Sequence, residues 1–290
     1  MTTGTVSQRM RSGFQGFTTQ ISEGLLGAPI RLGVTGLARS GKTVFITSLI
    51  SNLMEGGRMP QLAAFGQNRI QTAFLQPQPD DTLARFDFEA HLDAISSHEP
   101  FWPVNTQNVS QLRLSMKLNP QGLMSGIRNS RIQHLDIVDY PGEWILDLTL
   151  LDKSYAQWSE EILARLNSRD IGQTYAKMIK GLPEKVALDE TQARKLAHCY
   201  CSYLSAARAT GYSGLTPGRF LLPGDLEGSP VLTFAPLPPE SNSKKGSLWH
   251  EMQRRYTAYK RHIVRPFFKN HFARIDRQIV LIDVLEALHR

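Results

Sequence analysis

Leu112, Leu114, Met116 and Leu118 are apolar and the residues between them are polar. That alternation predicts a half-buried strand over Gln111 to Leu118. Ile132 to Asp139 is the next predicted strand, with Leu135, Ile137 and Val138 apolar, and Ile30-Arg31-Leu32-Gly33-Val34-Thr35 reads as a short one. Gln278-Ile279-Val280-Leu281-Ile282-Asp283-Val284 has the composition of a fully buried strand. Elsewhere the period is helical. Val44 to Ile50 reads as the first turns of a helix that Gly56, Gly57 and Pro60 stop. Residues 80–96 read as helix, Trp144 to Lys180 as a long helical pattern charged on one side, residues 184–212 as its continuation, and residues 248–275 as one more stretch interrupted near Pro266.

The connections are marked as clearly. Pro100-Phe101-Trp102-Pro103-Val104-Asn105-Thr106 predicts a rigid aromatic loop, and Pro120-Gln121-Gly122 a turn. Residues 213–241 are rich in Pro and Gly, with Val231 to Phe234 a candidate strand, and Ser241 to Gly246 reads as a flexible linker. Near the start, Met10, Phe14, Phe17, Ile21 and Leu25 fall at three- and four-residue spacing behind Arg9 and Arg11. That is a short amphipathic helix, which either docks on its own domain or makes a reversible membrane or partner contact. No internal repeat is visible.

Length and composition narrow the class. A chain of 290 residues suits one large α/β domain, or one such domain carrying a substantial insertion. No apolar run is long enough to span a bilayer, and Met1 to Gln20 has no signal-peptide core. The two cysteines, Cys199 and Cys201, are too few for a disulfide scaffold and have no second ligand pair for a metal, so they read as buried or half-buried thiols in a reducing compartment, the cytoplasm. A net charge of +7 favours anionic partners without choosing among nucleotide, acidic lipid and nucleic acid.

The chemistry is concentrated in Gly36-Leu37-Ala38-Arg39-Ser40-Gly41-Lys42-Thr43, which fills every fixed position of the phosphate-binding loop pattern. A strand precedes it and a helix follows. Glycines let the backbone bend so that several amides point inward, and the helix start adds partial positive charge. Lys42 is placed to reach the β- and γ-phosphates, the Thr43 hydroxyl to ligate Mg²⁺, and Val44 to close the nucleotide contacts. The alternative is a glycine-rich turn with an exposed lysine. Arg39 is either a charge stabiliser or, as we favour, solvated.

A second motif follows the strand that ends at Asp139, in Asp139-Tyr140-Pro141-Gly142-Glu143. In switch nucleotidases such an aspartate holds Mg²⁺ through water and the Gly142 amide contacts the γ-phosphate. Glu143 stands where many GTPases carry a glutamine that orients the attacking water. It could act as a base if burial raised its pKa, but it also sits near anionic phosphate, so slow hydrolysis is expected unless a partner adds a cation. A switch threonine should supply a further Mg²⁺ contact, and Thr106 fits that place best. The Asn- or Thr-Lys-any-Asp motif of guanine-selective proteins is missing between Asp139 and Arg290. Either the chain is not guanine-specific, or that segment lies beyond this C-terminus, as an ending just after an apolar strand suggests.

With GLARSGKT at Gly36 to Thr43, DYPGEW at Asp139 to Trp144, and Phe234-Ala235-Pro236-Leu237-Pro238, the chain resembles the YcjX-like family of bacterial stress-associated GTPases. The resemblance runs over nearly the whole chain. It implies a Ras-like P-loop NTPase core with a mostly parallel sheet, a large helical insertion after the second motif, guanine nucleotide binding, and a C-terminally shortened chain. Family members carry a Thr-Lys-Ala-Asp element after the strand that matches 279–285.

The expected organisation is therefore an amphipathic segment at 1–29, a P-loop core at 30–143 and 276–290, and a mainly helical insertion at 144–275. The expected activity is regulatory hydrolysis of GTP to GDP with Mg²⁺, read out by a protein effector. Lys42 and Glu143 are the catalytic candidates. Gly36 to Val44 and Gly142 are the nucleotide contacts, and Thr43, Thr106 and Asp139 the metal ligands. The alternatives are an ATP-dependent P-loop enzyme and a scaffold that nucleotide only stabilises. A last feature is basic: Arg254, Arg255, Lys260, Arg261, Arg265, Lys269, Arg274 and Arg277 lie among Tyr256, Tyr259, Phe267, Phe268 and Phe272, opposed only by Asp276. The commonest explanation is a helix with one buried and one solvated face. A peripheral contact with the anionic inner membrane or an acidic partner is the second reading, and nucleic acid, with no recognition motif, the least favoured.

Overall fold

The computed structural model describes residues 28–56, 59–60, 62–103, 108–120, 130–183, 187–239 and 245–284. The N-terminal amphipathic segment, Thr106 and most of the predicted linker lie outside them. Within them is a mixed α/β fold. Its sheet runs β2 (Ile70–Gln76), β4 (Ser110–Leu118), β5 (Arg131–Asp139), β1 (Ile30–Gly36), β6 (Arg277–Leu281), with the two-residue β3 (Ala84–Arg85) beside β4. Pairing is parallel on both sides of β1 and between β3 and β4, and antiparallel where β4 meets β2 and β5. One face of the sheet packs Val34, Leu112, Leu114 and Ile137 against Ile46 and Ile50 of α1 (Lys42–Glu55). Gly56, in the left-handed region at φ 72°, ends α1 where the sequence places its stop.

Several elements differ from expectation. Of residues 80–96 only α2 (Phe88–Ser96) is helical. The Asp80 carboxylate accepts from both the amide and the hydroxyl of Thr82. This local turn competes with helix, which begins only once Asp87 caps it through the Ala90 amide. Strand β2 was not expected. A register shift between Ile70 and Thr72 interrupts the alternation that would have revealed it. Val231 to Phe234 is not a strand. Pro230–Leu232 is a 3₁₀ turn, and the extended run after it has side chains for partners. The carbonyls of Ala235, Pro236 and Leu237 accept from Tyr155, Tyr175 and Ser159 respectively. Strand β6 forms, but at the sheet edge rather than buried: Val280 is 58% exposed, and no strand among the described residues pairs its outer side.

The long helical pattern after Trp144 is broken into α3 (Gly142–Leu146), a 3₁₀ turn Asp147–Leu150, α4 (Tyr155–Asn167) and α5 (Gln173–Lys180). Ser154 and Gln157 form a reciprocal capping box that restarts the helix at Tyr155. Next come α6 (Glu190–Ala209) and α7 (Leu248–Tyr259). A π-helical stretch, Lys260–Val264, then leads into α8 (Arg265–Asn270), whose first turn holds Pro266. The wider turn lets the chain continue without the amide that proline lacks. These helices enclose a second core of stacked and edge-on rings, including Trp158, Tyr200, Phe234 and Tyr256. A smaller cluster, Val138, Tyr140, Trp144 and Phe267, lies where the end of β5 meets α8.

Candidate functional site

The end of β1 is built by close approach. A Cβ on Gly36 would stand 2.2 Å from Ser40 Oγ and 2.6 Å from the Leu281 carbonyl, so only glycine fits. The loop then turns back on itself, with the Ser40 amide donating to the Leu37 carbonyl at 3.1 Å. Arg39 (φ 70°) and Gly41 (φ 83°) both adopt left-handed backbone, a strained choice for arginine. Gly41 caps α1 with no side chain, and the first turn carries no acidic residue. The helix-start amides therefore lack a side-chain acceptor, and the helix dipole there is uncompensated. Lys42 is only 7% exposed and has no carboxylate partner among the described residues. A buried cation without a counter-charge is costly unless an anion completes it. Arg39 points to solvent, and Thr43 lies in the first helical turn.

Parallel pairing brings the second motif alongside. Val34 stands opposite Asp139, so the aspartate, 1% exposed, ends its strand next to the loop. Gly142 packs on that loop: a Cβ there would lie 2.6 Å from the carbonyl carbon and oxygen of Gly36. A threonine hydroxyl and one carboxylate are hard oxygen donors. No cluster of three metal-ligating side chains stands among the described residues. That donor set fits Mg²⁺, which keeps waters and takes substrate phosphates rather than filling an all-protein cage.

Glu143 is the departure from expectation. It is 3% exposed, and its Oε1 accepts from the Ala38 amide of the loop at 3.1 Å and from Arg208 Nη2 at 2.8 Å. The carboxylate thus faces the loop with a cation already beside it. Arg208 sits in the last turn of α6 and was not among the predicted site residues. Only its position at a helix end marked it, and a contact across 65 positions has no local sequence signal.

The residues after Glu143 are fastened to the helices. Asp147 is buried, and its carboxylate accepts from the Gly218 and Arg219 amides and from the Tyr259 hydroxyl. Burial outweighs these bonds and pushes its pKa up to about 6. The Arg219 guanidinium lies over the Trp144 ring, 3.1 Å from its centroid, and Trp144 Nε1 donates to the Leu222 carbonyl at 2.9 Å. A cavity of about 360 Å³ opens beside the loop, lined in part by Leu37, Gly142, Ile145, Gly214 and Leu281.

The basic stretch is more paired than its sequence suggests. Arg255 bonds Glu190 and Glu251, and Arg254 bonds Glu251, whose carboxyl these two arginines hold down at about 2. Tyr256, Tyr259 and Phe267 face inward. The reading of Asp276 as sole counter-charge is therefore corrected. Glu251, a helical turn away, is the nearer partner, and Asp276 accepts instead from the Arg31 amide. Cys199 and Cys201 are half-buried thiols.

The fold and this loop define a mixed α/β protein with an anion-ready turn at the end of β1. Residues 30–290 match the profile of the YcjX-like family, DUF463, and the chain belongs to that family. It is similar to two proteins each named Ras-like GTPase YcjX. The one from Shewanella oneidensis is 36% identical over 285 residues and the one from Escherichia coli K12 is 36% identical over 275. Each match covers 90% of this chain and 59% of the relative, so the chain spans less than two thirds of their length. No helix among the described residues is long and apolar enough to cross a membrane.

Proposed function

We propose that the chain is the nucleotide-binding part of a Ras-like P-loop GTPase. The observation that carries this reading is the pairing of a buried lysine, Lys42, with the uncapped start of α1, two positive features converging on one turn. In this reading the core comprises 30–143 with 276–290, and 144–275 is the helical insertion. Gly36 to Val44 wrap the phosphates, Lys42 contacts the β- and γ-oxygens, and the Gly142 amide meets the γ-phosphate. Thr43 and Asp139 hold Mg²⁺, with Thr106 as the expected further ligand. A magnesium ion held there supplies neutralisation of the charge shared by the β- and γ-phosphates.

In hydrolysis the oxygen of water bonds to the γ-phosphorus. The bond from phosphorus to the bridging oxygen breaks, its electron pair stays on GDP, and the water proton passes to the released phosphate. With its Oε1 bonded to a loop amide and to Arg208, Glu143 is badly placed to serve as a free base, so its part is better read as positioning. The bolted segment Gly142 to Asp147 would carry the state of the site into the helices, where an effector could read it. The relatives' name favours guanine.

Titrating the protein with fluorescent GDP and ADP in Mg²⁺ tests the reading. Tight GDP and weak ADP binding is expected. Preference for ADP would move the chain to the ATP-dependent class, and no binding of either would sink the proposal.

A further inference from the structure

One carboxylate oxygen in this structure does a phosphate's work. Glu143 Oε1 takes one donor from the phosphate-loop backbone, the Ala38 amide, and one from a guanidinium, Arg208. A terminal phosphate oxygen is bound by that same pair of donors, a backbone amide and an arginine. The arginine is not free to wander. Its helix is anchored by Leu204 and Ala207, which are 1% and 0% exposed, so the side chain leaves a fixed base. Glu143 is its one hydrogen-bond partner among the described residues, and about a third of the side chain is open to solvent. Further N–H groups are thus available to a second anion.

We propose that Arg208 is a phosphate-binding residue delivered to the loop by the helical region of the same chain, and that Glu143 Oε1 occupies the position of a terminal phosphate oxygen. The inference rests on the nucleotide-binding reading and deepens it. The cation that the sequence seemed to require from a partner is then built in. Entry of a triphosphate displaces Glu143 from Ala38 and Arg208, and the guanidinium transfers from carboxylate to phosphate. Because charge on the transferring group spreads over its outer oxygens during hydrolysis, the arginine's contribution grows towards the transition state. Arg208 is thus a catalytic residue in the proposed reaction, and Glu143 a positioning residue that holds it aimed at the loop.

The experiment compares the whole chain with its Arg208→Ala and Arg208→Lys variants, measuring GDP affinity with Mg²⁺ alone and with added aluminium fluoride, a mimic of the transferring phosphoryl group. GDP affinity with Mg²⁺ alone is the baseline for each protein, and the readout is the ratio of affinities with and without aluminium fluoride, because GDP lacks the phosphate that Arg208 meets. Aluminium fluoride should tighten the parent by at least tenfold, Arg208→Lys by less and Arg208→Ala not at all. Tightening of Arg208→Ala equal to the parent's, or a parent that binds GDP but ignores aluminium fluoride, would overturn the assignment and leave the nucleotide reading standing. A parent that binds no GDP would remove both. Glu143→Ala supplies a second arm that does not depend on the Arg208 variants folding. With the internal carboxylate gone, a non-hydrolysable GTP analogue should bind at least fivefold more tightly, and unchanged or weaker binding would refute the stand-in.

Discussion

The two sides of the site are made in different ways. On the sheet side, the turn from Gly36 to Lys42 is set by backbone: left-handed residues at Arg39 and Gly41, a glycine at 36 with no room for a methyl group, and a helix that starts uncapped. On the helical side, Glu143 to Asp147 is set by side chains reaching far along the sequence, to Arg208, Arg219 and Tyr259. A backbone-built surface is stiff and general, and it can meet any phosphate. A side-chain-built surface can be released one bond at a time. The difference also says where stability and binding should separate under mutation.

The largest effect should come from the helical core. Trp158→Ala removes a 1%-exposed ring that stacks on Tyr256 and meets Tyr200 and Phe234 edge-on, and should cost about 4 kcal/mol in denaturant unfolding. A loss below about 1 kcal/mol would mean that these helices are not packed as described.

Next is the pH dependence at Asp147. Its carboxyl titrates near 6 in the folded protein, above the ordinary value of 3.8, so the folded state holds the proton more tightly than the unfolded one. Its contribution is fully present below about pH 4 and is lost as pH rises to about 6, a fall of about 3 kcal/mol. Asp147→Asn should flatten that part of the stability curve, and equal slopes in parent and variant would contradict the assignment.

Lys42→Ala should weaken nucleotide binding by at least 100-fold, about 2.7 kcal/mol, while leaving the melting temperature without nucleotide unchanged or higher, since an unpaired buried charge is removed. A lower melting temperature with intact binding would reverse the roles given to the two sides. Smallest is Ser154→Ala, which deletes the cap of α4 and should cost about 1 kcal/mol without altering nucleotide affinity. A change in affinity there would show the helices coupled to the loop more tightly than the bonds at Asp147 imply.

What the sequence disclosed follows the same division. The strand, loop and helix around Gly36 to Thr43, and the strand ending at Asp139, are local features, and their composition states them. Strand β2 was hidden because a register shift erases the period of two. The run after Pro230 looked like a strand because Val231, Leu232 and Phe234 are apolar, yet the prolines at 230, 236 and 238 remove amides that a ladder needs, and tyrosine hydroxyls take up the carbonyls of Ala235 and Pro236 instead. Strand β6 is apolar enough for an interior, but composition does not say on which side of β1 neighbours stand. Arg208 could not have been found by inspection, because its role depends on where a twenty-residue helix happens to end.

Arg113 and Asp136 stand directly opposite each other across β4 and β5 and bond through two nitrogen–oxygen contacts, with the carboxylate wholly buried. Their neighbours in the ladder, Leu112 with Ile137 and Leu114 with Leu135, belong to the opposite face. Sliding β5 by a single position would face Arg113 with a hydrocarbon side chain and turn Asp136 into the apolar layer, a large penalty for both charges. The same slide would carry Asp139 away from Val34. The pair therefore works as a gauge pin: it fixes how far β5 extends along the sheet, and so the depth at which the aspartate arrives beside the loop.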